Sequence, residues 1–93
     1  MGDNEQQFWD LAEELINNAN DKSAAQAPAL VSDAMLYAAA RFSAYVAAAS
    51  STERKAFKEE LGDIKALLME QFETMLDANL DDYLENYKTY LGR

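Results

Sequence analysis

Glu70, Glu73, Asp77, Asp81, Asp82 and Glu85 follow one another with no basic residue between Lys65 and Lys88. Such a run of hard oxygen donors suits a divalent cation or a landing strip for a basic partner. Glu73, Asp77 and Asp81 stand at i, i+4 spacing, so an unbroken helix would set them on one face, where like charges repel by some tenths of a kcal/mol per pair. The EF-hand pattern is absent, and a chain with no histidine lacks the Glu-x-x-His of di-iron sites. An exposed acidic face is the plainer reading of the run. Tyr37, Arg41 and Tyr45, also four residues apart, put a guanidinium between two phenols on one helix ridge. That arrangement reads either as an anion pocket walled by aromatics or as a structural arginine that fixes helix register. Arginine is rarely buried unpaired, so Arg41 is expected to snorkel or to meet Glu14, Asp81, Asp82 or Glu85. Tyr83, Tyr87 and Tyr90 with Leu80, Leu84 and Leu91 give the C-terminal segment an aromatic side, which suits core packing or a partner surface. Trp9 beside Phe8 poses the same choice.

The most enzyme-like string is Glu59-Glu60-Leu61-Gly62-Asp63-Ile64. It is similar to the acidic signature of all-α nucleotide pyrophosphohydrolases of the MazG type. That resemblance implies four carboxylates from two facing helices holding Mg²⁺, with the metal neutralising substrate phosphates. Glu60 and Asp63 supply one half. The other half, an E-x-x-E on the preceding helix, is missing, because residues 33–50 offer only Asp33; Asp10 and Glu13 on the first helix would make a different site. A solvated helix face flanked by Lys58 and Lys65 accounts for the string without metal. No catalytic residue and no cofactor is assigned.

The elements that carry these residues read as helices. Asn4 with Gln7 three residues later has the spacing of a capping box. Phe8, Leu11, Ala12, Leu15, Ile16 and Ala19 then recur at 3.6-residue spacing and predict a helix over about 5–19. Asn17, Asn18, Asn20 and Asp21 favour a turn, and residues 20–31, with Pro28 holding Ala27 extended, form the one long loop. Ser32 and Asp33 are start signals for a central helix over 33–50, with Val31 and Leu36 as a hydrophobic staple. This stretch, DAMLYAAARFSAYVAAAS, holds one acid, one base and eight alanines. A helix so apolar all round is expected to be buried by its neighbours.

Ser50-Ser51-Thr52 with Glu53 is the next junction, short enough for an antiparallel hairpin. From Phe57 the apolar register continues through Leu61, Ile64, Leu68, Phe72, Met75, Leu76, Leu80, Leu84, Tyr87 and Leu91. One helix over 53–90 would be ~57 Å long, against a radius of gyration of about 12 Å for a compact chain of this size. A break at Asp77-Ala78-Asn79 is therefore expected, giving helices over 53–77 and 80–90; otherwise a second subunit covers the overhang. The fold class is all-α: a small antiparallel three- or four-helix bundle with an Ala-rich central helix, and residues 1–93 as a single domain.

Composition bounds the function. Eight basic against 17 acidic residues give a net charge of −9. Such a field repels nucleic-acid backbones and anionic membranes, so neither is expected as a partner. The run from Ala34 to Ala49 is shorter than the ~20 residues that span a bilayer and carries Arg41. No signal peptide is read at the start, and a cytoplasmic location is expected. Phe8-Trp9, Tyr37-Ala38-Ala39-Ala40-Arg41-Phe42, Asn79-Leu80-Asp81-Asp82-Tyr83 and Asn86-Tyr87 resemble a family of short, acidic, all-helical bacterial proteins catalogued as a domain of unknown function. The resemblance implies a stand-alone helical protein and transfers no activity. Together these features favour a non-enzymatic binding or accessory module working through a protein partner or self-association, with Arg41, Tyr37, Tyr45, Tyr83, Tyr87, Tyr90 and Trp9 as the interaction candidates. The alternatives are the magnesium-dependent hydrolase and an acidic decoy that mimics DNA.

Overall fold

The structure, a computed structural model, describes residues 2–93. Four helices follow in order: α1 (Gly2–Lys22), α2 (Pro28–Ala49), α3 (Arg54–Glu85) and α4 (Tyr87–Leu91). There is no strand among the described residues, so the all-α class expected from the apolar spacing is the observed one. The chain divides into two compact units, the first running to Val46 and the second comprising Ala47–Arg93.

In the first unit α1 overruns the expected helix at both ends. Asp3 and Glu5 lie at its positive end and Lys22 at its negative end, where each charge is favoured. Asn4 is inside the helix instead of capping it, and across the first turns Gln6 Nε2 donates to Asp10 Oδ1 at 2.9 Å. The asparagines at 17, 18 and 20 do not end the helix either. The chain turns after Lys22, where the Ser23 amide and Oγ both donate to the Ala19 carbonyl at 3.0 Å. These bonds answer carbonyls that a helix end leaves open.

The expected loop over 20–31 shrinks to 23–27, and α2 starts at Pro28 instead of residue 33. Proline is suited to the first helical position, because its φ is already helical and its missing N–H would have had no partner there. The Ala27 carbonyl accepts the amides of Leu30 and Val31 at 3.0 and 3.2 Å. Ser32 and Asp33 therefore sit within α2, and the start expected from them is displaced by the proline.

In the second unit the start of α3 is Glu53, extended at φ −159° and ψ 167°, with no side-chain cap bond. In the Ser50-Ser51-Thr52 junction before it, the Ser51 hydroxyl donates to the Ala48 carbonyl at 2.6 Å. The expected break at 77–79 does not occur: α3 passes through it without interruption. Asn79 explains part of this, because its Nδ2 donates to the Met75 carbonyl at 2.7 Å and so ties the side chain back into its own helix. The interruption falls at Asn86 (φ −109°, ψ 22°), leaving α4 only five residues long in place of the helix expected over 80–90. Gly92 closes α4 at φ 75°, its amide donating to the Lys88 carbonyl at 2.8 Å. That left-handed conformation is one glycine adopts without a Cβ penalty.

Burial also departs from expectation. No described residue is buried, α2 included. Within the first unit α1 and α2 do not pack along one another, whereas in the second α3 packs against α4. An alanine-rich helix tolerates this, because alanine has the highest intrinsic helix propensity and brings little side-chain area that needs cover. Gly62, in the third turn of α3, has nothing within 4 Å of where a Cβ would stand. Gly62→Ala is therefore expected to raise stability by roughly 0.5–1 kcal/mol, measured by denaturant unfolding.

Candidate functional site

The most constructed side-chain arrangement lies where α3 gives way to α4. Asp82, Asn86 and Tyr90 stand four residues apart, and the chain bends so that all three meet. The Asn86 amide donates to the Asp82 carbonyl at 3.0 Å. Its Nδ2 donates to the same carbonyl at 3.1 Å and to Asp82 Oδ1 at 2.9 Å. The Tyr90 hydroxyl donates to Asp82 Oδ2 at 3.1 Å, with Oδ1 at 3.3 Å. Tyr83 completes the group, its ring centroid 4.9 Å from that of Tyr90 at an interplanar angle of 58°. Two of the three expected C-terminal interaction tyrosines are thus turned toward one another, and all three, Tyr87 included, remain about half exposed.

The hydrogen bond to Asp82 and the carboxylate's negative charge push the Tyr90 phenol above its ordinary value of 10.0. A raised value in the folded chain means that this bond contributes fully below pH about 10 and is lost as pH rises through the folded value. Alkaline titration followed by phenolate absorbance is expected to show one late tyrosine, and Tyr90→Phe to remove it.

The other sequence candidates are more open. Phe8 and Trp9 meet edge to face, with centroids 4.9 Å apart at 77°, and Trp9 remains 59% exposed. On α2, Arg41 is exposed and makes no ion pair with the acids of its own unit, Glu14 included, among the described residues. Of the acids expected elsewhere to meet it, Asp82 is engaged by Asn86 and Tyr90. Tyr45 leans toward Phe42, 5.9 Å between centroids, and Tyr37 is exposed. Arg41→Met is expected to change stability by no more than about 0.5 kcal/mol, as for an exposed side chain, measured by thermal melting.

Glu60 and Asp63 lie on exposed turns of α3. Among the described residues no three acidic side chains gather closely enough to hold a metal ion. Because α3 is unbroken, Glu73, Asp77 and Asp81 do share one helix face, and their mutual repulsion is directed to solvent. No helix among the described residues is long and apolar enough to cross a membrane.

The broadest feature is apolar. Large hydrophobic side chains are exposed on α1, α2 and α3 alike, Leu61 at 49% and Phe72 at 46% among them. On α3, Phe57, Leu61 and Ile64 are repeated eleven residues later by Leu68, Phe72 and Met75. A repeat of eleven residues advances ~3.67 per turn, close to the helix's own period, so these six side chains keep to one face of a straight helix. Glu59, Asp63, Glu70, Asp77 and Asp81 fall on the opposite face by the same geometry.

Helices without strands, an apolar stripe backed by acids, and a hydrogen-bonded elbow at the C-terminal end define a short all-α protein. The chain belongs to the family described as Protein of unknown function (DUF3144), whose model matches residues 8–84. No curated protein and no solved structure matches it. Of the residues that carry the resemblance seen in the sequence, Phe8-Trp9, 37–42 and 79–83 fall inside the matched span and Asn86-Tyr87 lies beyond it. Asn86, Tyr90 and all of α4 lie beyond it. The elbow was missed from sequence because Asp82 reads as one more acid in a run. The i, i+4, i+8 spacing of Asp82, Asn86 and Tyr90 was the available signal.

Proposed function

We propose that the chain is a non-enzymatic binding or accessory module that acts through protein–protein contacts made by its apolar helix faces. The exposure of its large hydrophobic side chains, with none buried among the described residues, is the observation that carries this reading. Soluble proteins rarely present contiguous apolar area beyond a few hundred Å² unless it meets a partner. The acidic charge supports the same reading by keeping a chain with so much apolar surface in solution, consistent with a cytoplasmic module. The test is capture on immobilised wild-type chain compared with Phe72→Glu. A polypeptide, a second copy of this chain included, is expected to be retained by the wild type and lost by the variant. Equal retention on both would sink the reading. A rise in melting temperature on adding Mg²⁺ would instead favour the hydrolase alternative built on Glu60 and Asp63.

A further inference from the structure

We infer that Tyr83 and Tyr90 form an oxidative cross-linking site, where a one-electron oxidant joins the two phenols through a carbon–carbon bond and fixes α4 against α3. Proximity is the first argument. In a straight helix residues seven apart stand about 10.5 Å apart along the axis. The elbow at Asn86 instead brings the two ring centroids to 4.9 Å, tilted by 58°. Among the described residues the ring pairs Phe8–Trp9 and Phe42–Tyr45 hold at most one phenol, whereas Tyr83–Tyr90 holds two. Phenoxyl radicals held in contact meet at a far higher effective concentration than radicals on separate chains. The rings are 52% and 51% exposed, so an oxidant reaches both.

The second argument is a place for the proton. The Tyr90 hydroxyl donates to Asp82 Oδ2 at 3.1 Å, a distance at which a positioned carboxylate takes a proton. The same bond holds the phenol above 10.0, so Tyr90 is protonated at neutral pH and its electron leaves together with a proton that passes to Asp82.

The reaction balances as follows in atoms and electrons. Tyr90 gives one electron to the oxidant and its hydroxyl proton to Asp82, which passes it to water. Tyr83 gives a second electron to the oxidant and its proton to solvent. A ring carbon ortho to each oxygen then bonds to the other, and the hydrogen on each of these carbons moves to its phenol oxygen. The pair has lost two electrons and two protons, which hydrogen peroxide, acting through a haem peroxidase, takes up in becoming two waters. The new bond spans Asn86 and makes the bend permanent.

The test is oxidation of the full chain, dilute, with a haem peroxidase and hydrogen peroxide, followed by trypsin. Trypsin cuts after Lys65 and Lys88, so Tyr83 and Tyr87 leave in residues 66–88 and Tyr90 in residues 89–93. The expected product is a single chain, lighter by two hydrogens, with dityrosine fluorescence and with these two segments still joined after digestion. Tyr83→Phe is expected to lower the joined product at least about tenfold, and Tyr87→Phe to leave it unchanged. Asp82→Asn, whose amide takes up a proton poorly, is expected to slow its formation about tenfold. Absence of the joined segments from the oxidised wild type, or an equal yield from Tyr83→Phe, would overturn the site. An equal rate in Asp82→Asn would overturn Asp82 as the proton acceptor.

Discussion

Ala78→Pro is expected to cost about 3 kcal/mol and to remove helix from the C-terminal third of α3. Residue 78 lies seven positions inside the end of an unbroken helix that closes at Glu85. Proline there removes a backbone donor and drives its ring into the carbonyl one turn back. Had the chain broken at 77–79, the same substitution would fall in a junction and be tolerated. The matched control is Arg54→Pro at the first helical position of α3, where the preceding Glu53 is already extended. Proline suits that position, so the control is expected to be close to neutral. Circular dichroism and denaturant unfolding of both variants check the pair of outcomes, and equal tolerance of the two prolines would refute the continuous helix.

Asn86→Ala is the second large expected effect, a loss of roughly 1–2 kcal/mol localised to the α3–α4 elbow. Two side-chain hydrogen bonds are removed, one to the Asp82 carbonyl and one to its carboxylate. Each contributes about 0.5–1.5 kcal/mol net. Alanine also favours helical backbone at a residue now held at φ −109° and ψ 22°, so α3 is expected to run on into α4. Straightening the elbow carries Tyr90 away from Asp82. Its phenol should then titrate at its ordinary value of 10.0. An unchanged Tyr90 titration would show that Asn86 does not position the pair.

The two effects separate what is local from what is not. The existence of α1, α2 and α3 was legible in the spacing of Phe8 to Ala19, in the alanine-rich stretch around Arg41, and in the register from Phe57 onward. Helix ends were not. Asn17, Asn18, Asn20, Ser32 and Asn79 are residue types that end or begin helices when their side chains compete for backbone groups. Each is helical in this protein, and Asn79 bonds back to Met75. Residue type states that a side chain can compete for the backbone, and only the assembled turn decides whether it does.

By itself, then, the sequence determined an all-α chain with an acidic surface, a helix stripe from Phe57 to Met75 and the family to which it belongs, because period and charge are properties of residues in order. The tertiary structure alone decided that α3 runs unbroken to Glu85, that Asn86 bends the chain so that Tyr90 reaches Asp82, and that α1 and α2 do not pack along one another. These depend on whether a donor finds its acceptor and a face its neighbour, which are distances in space and not positions along the chain.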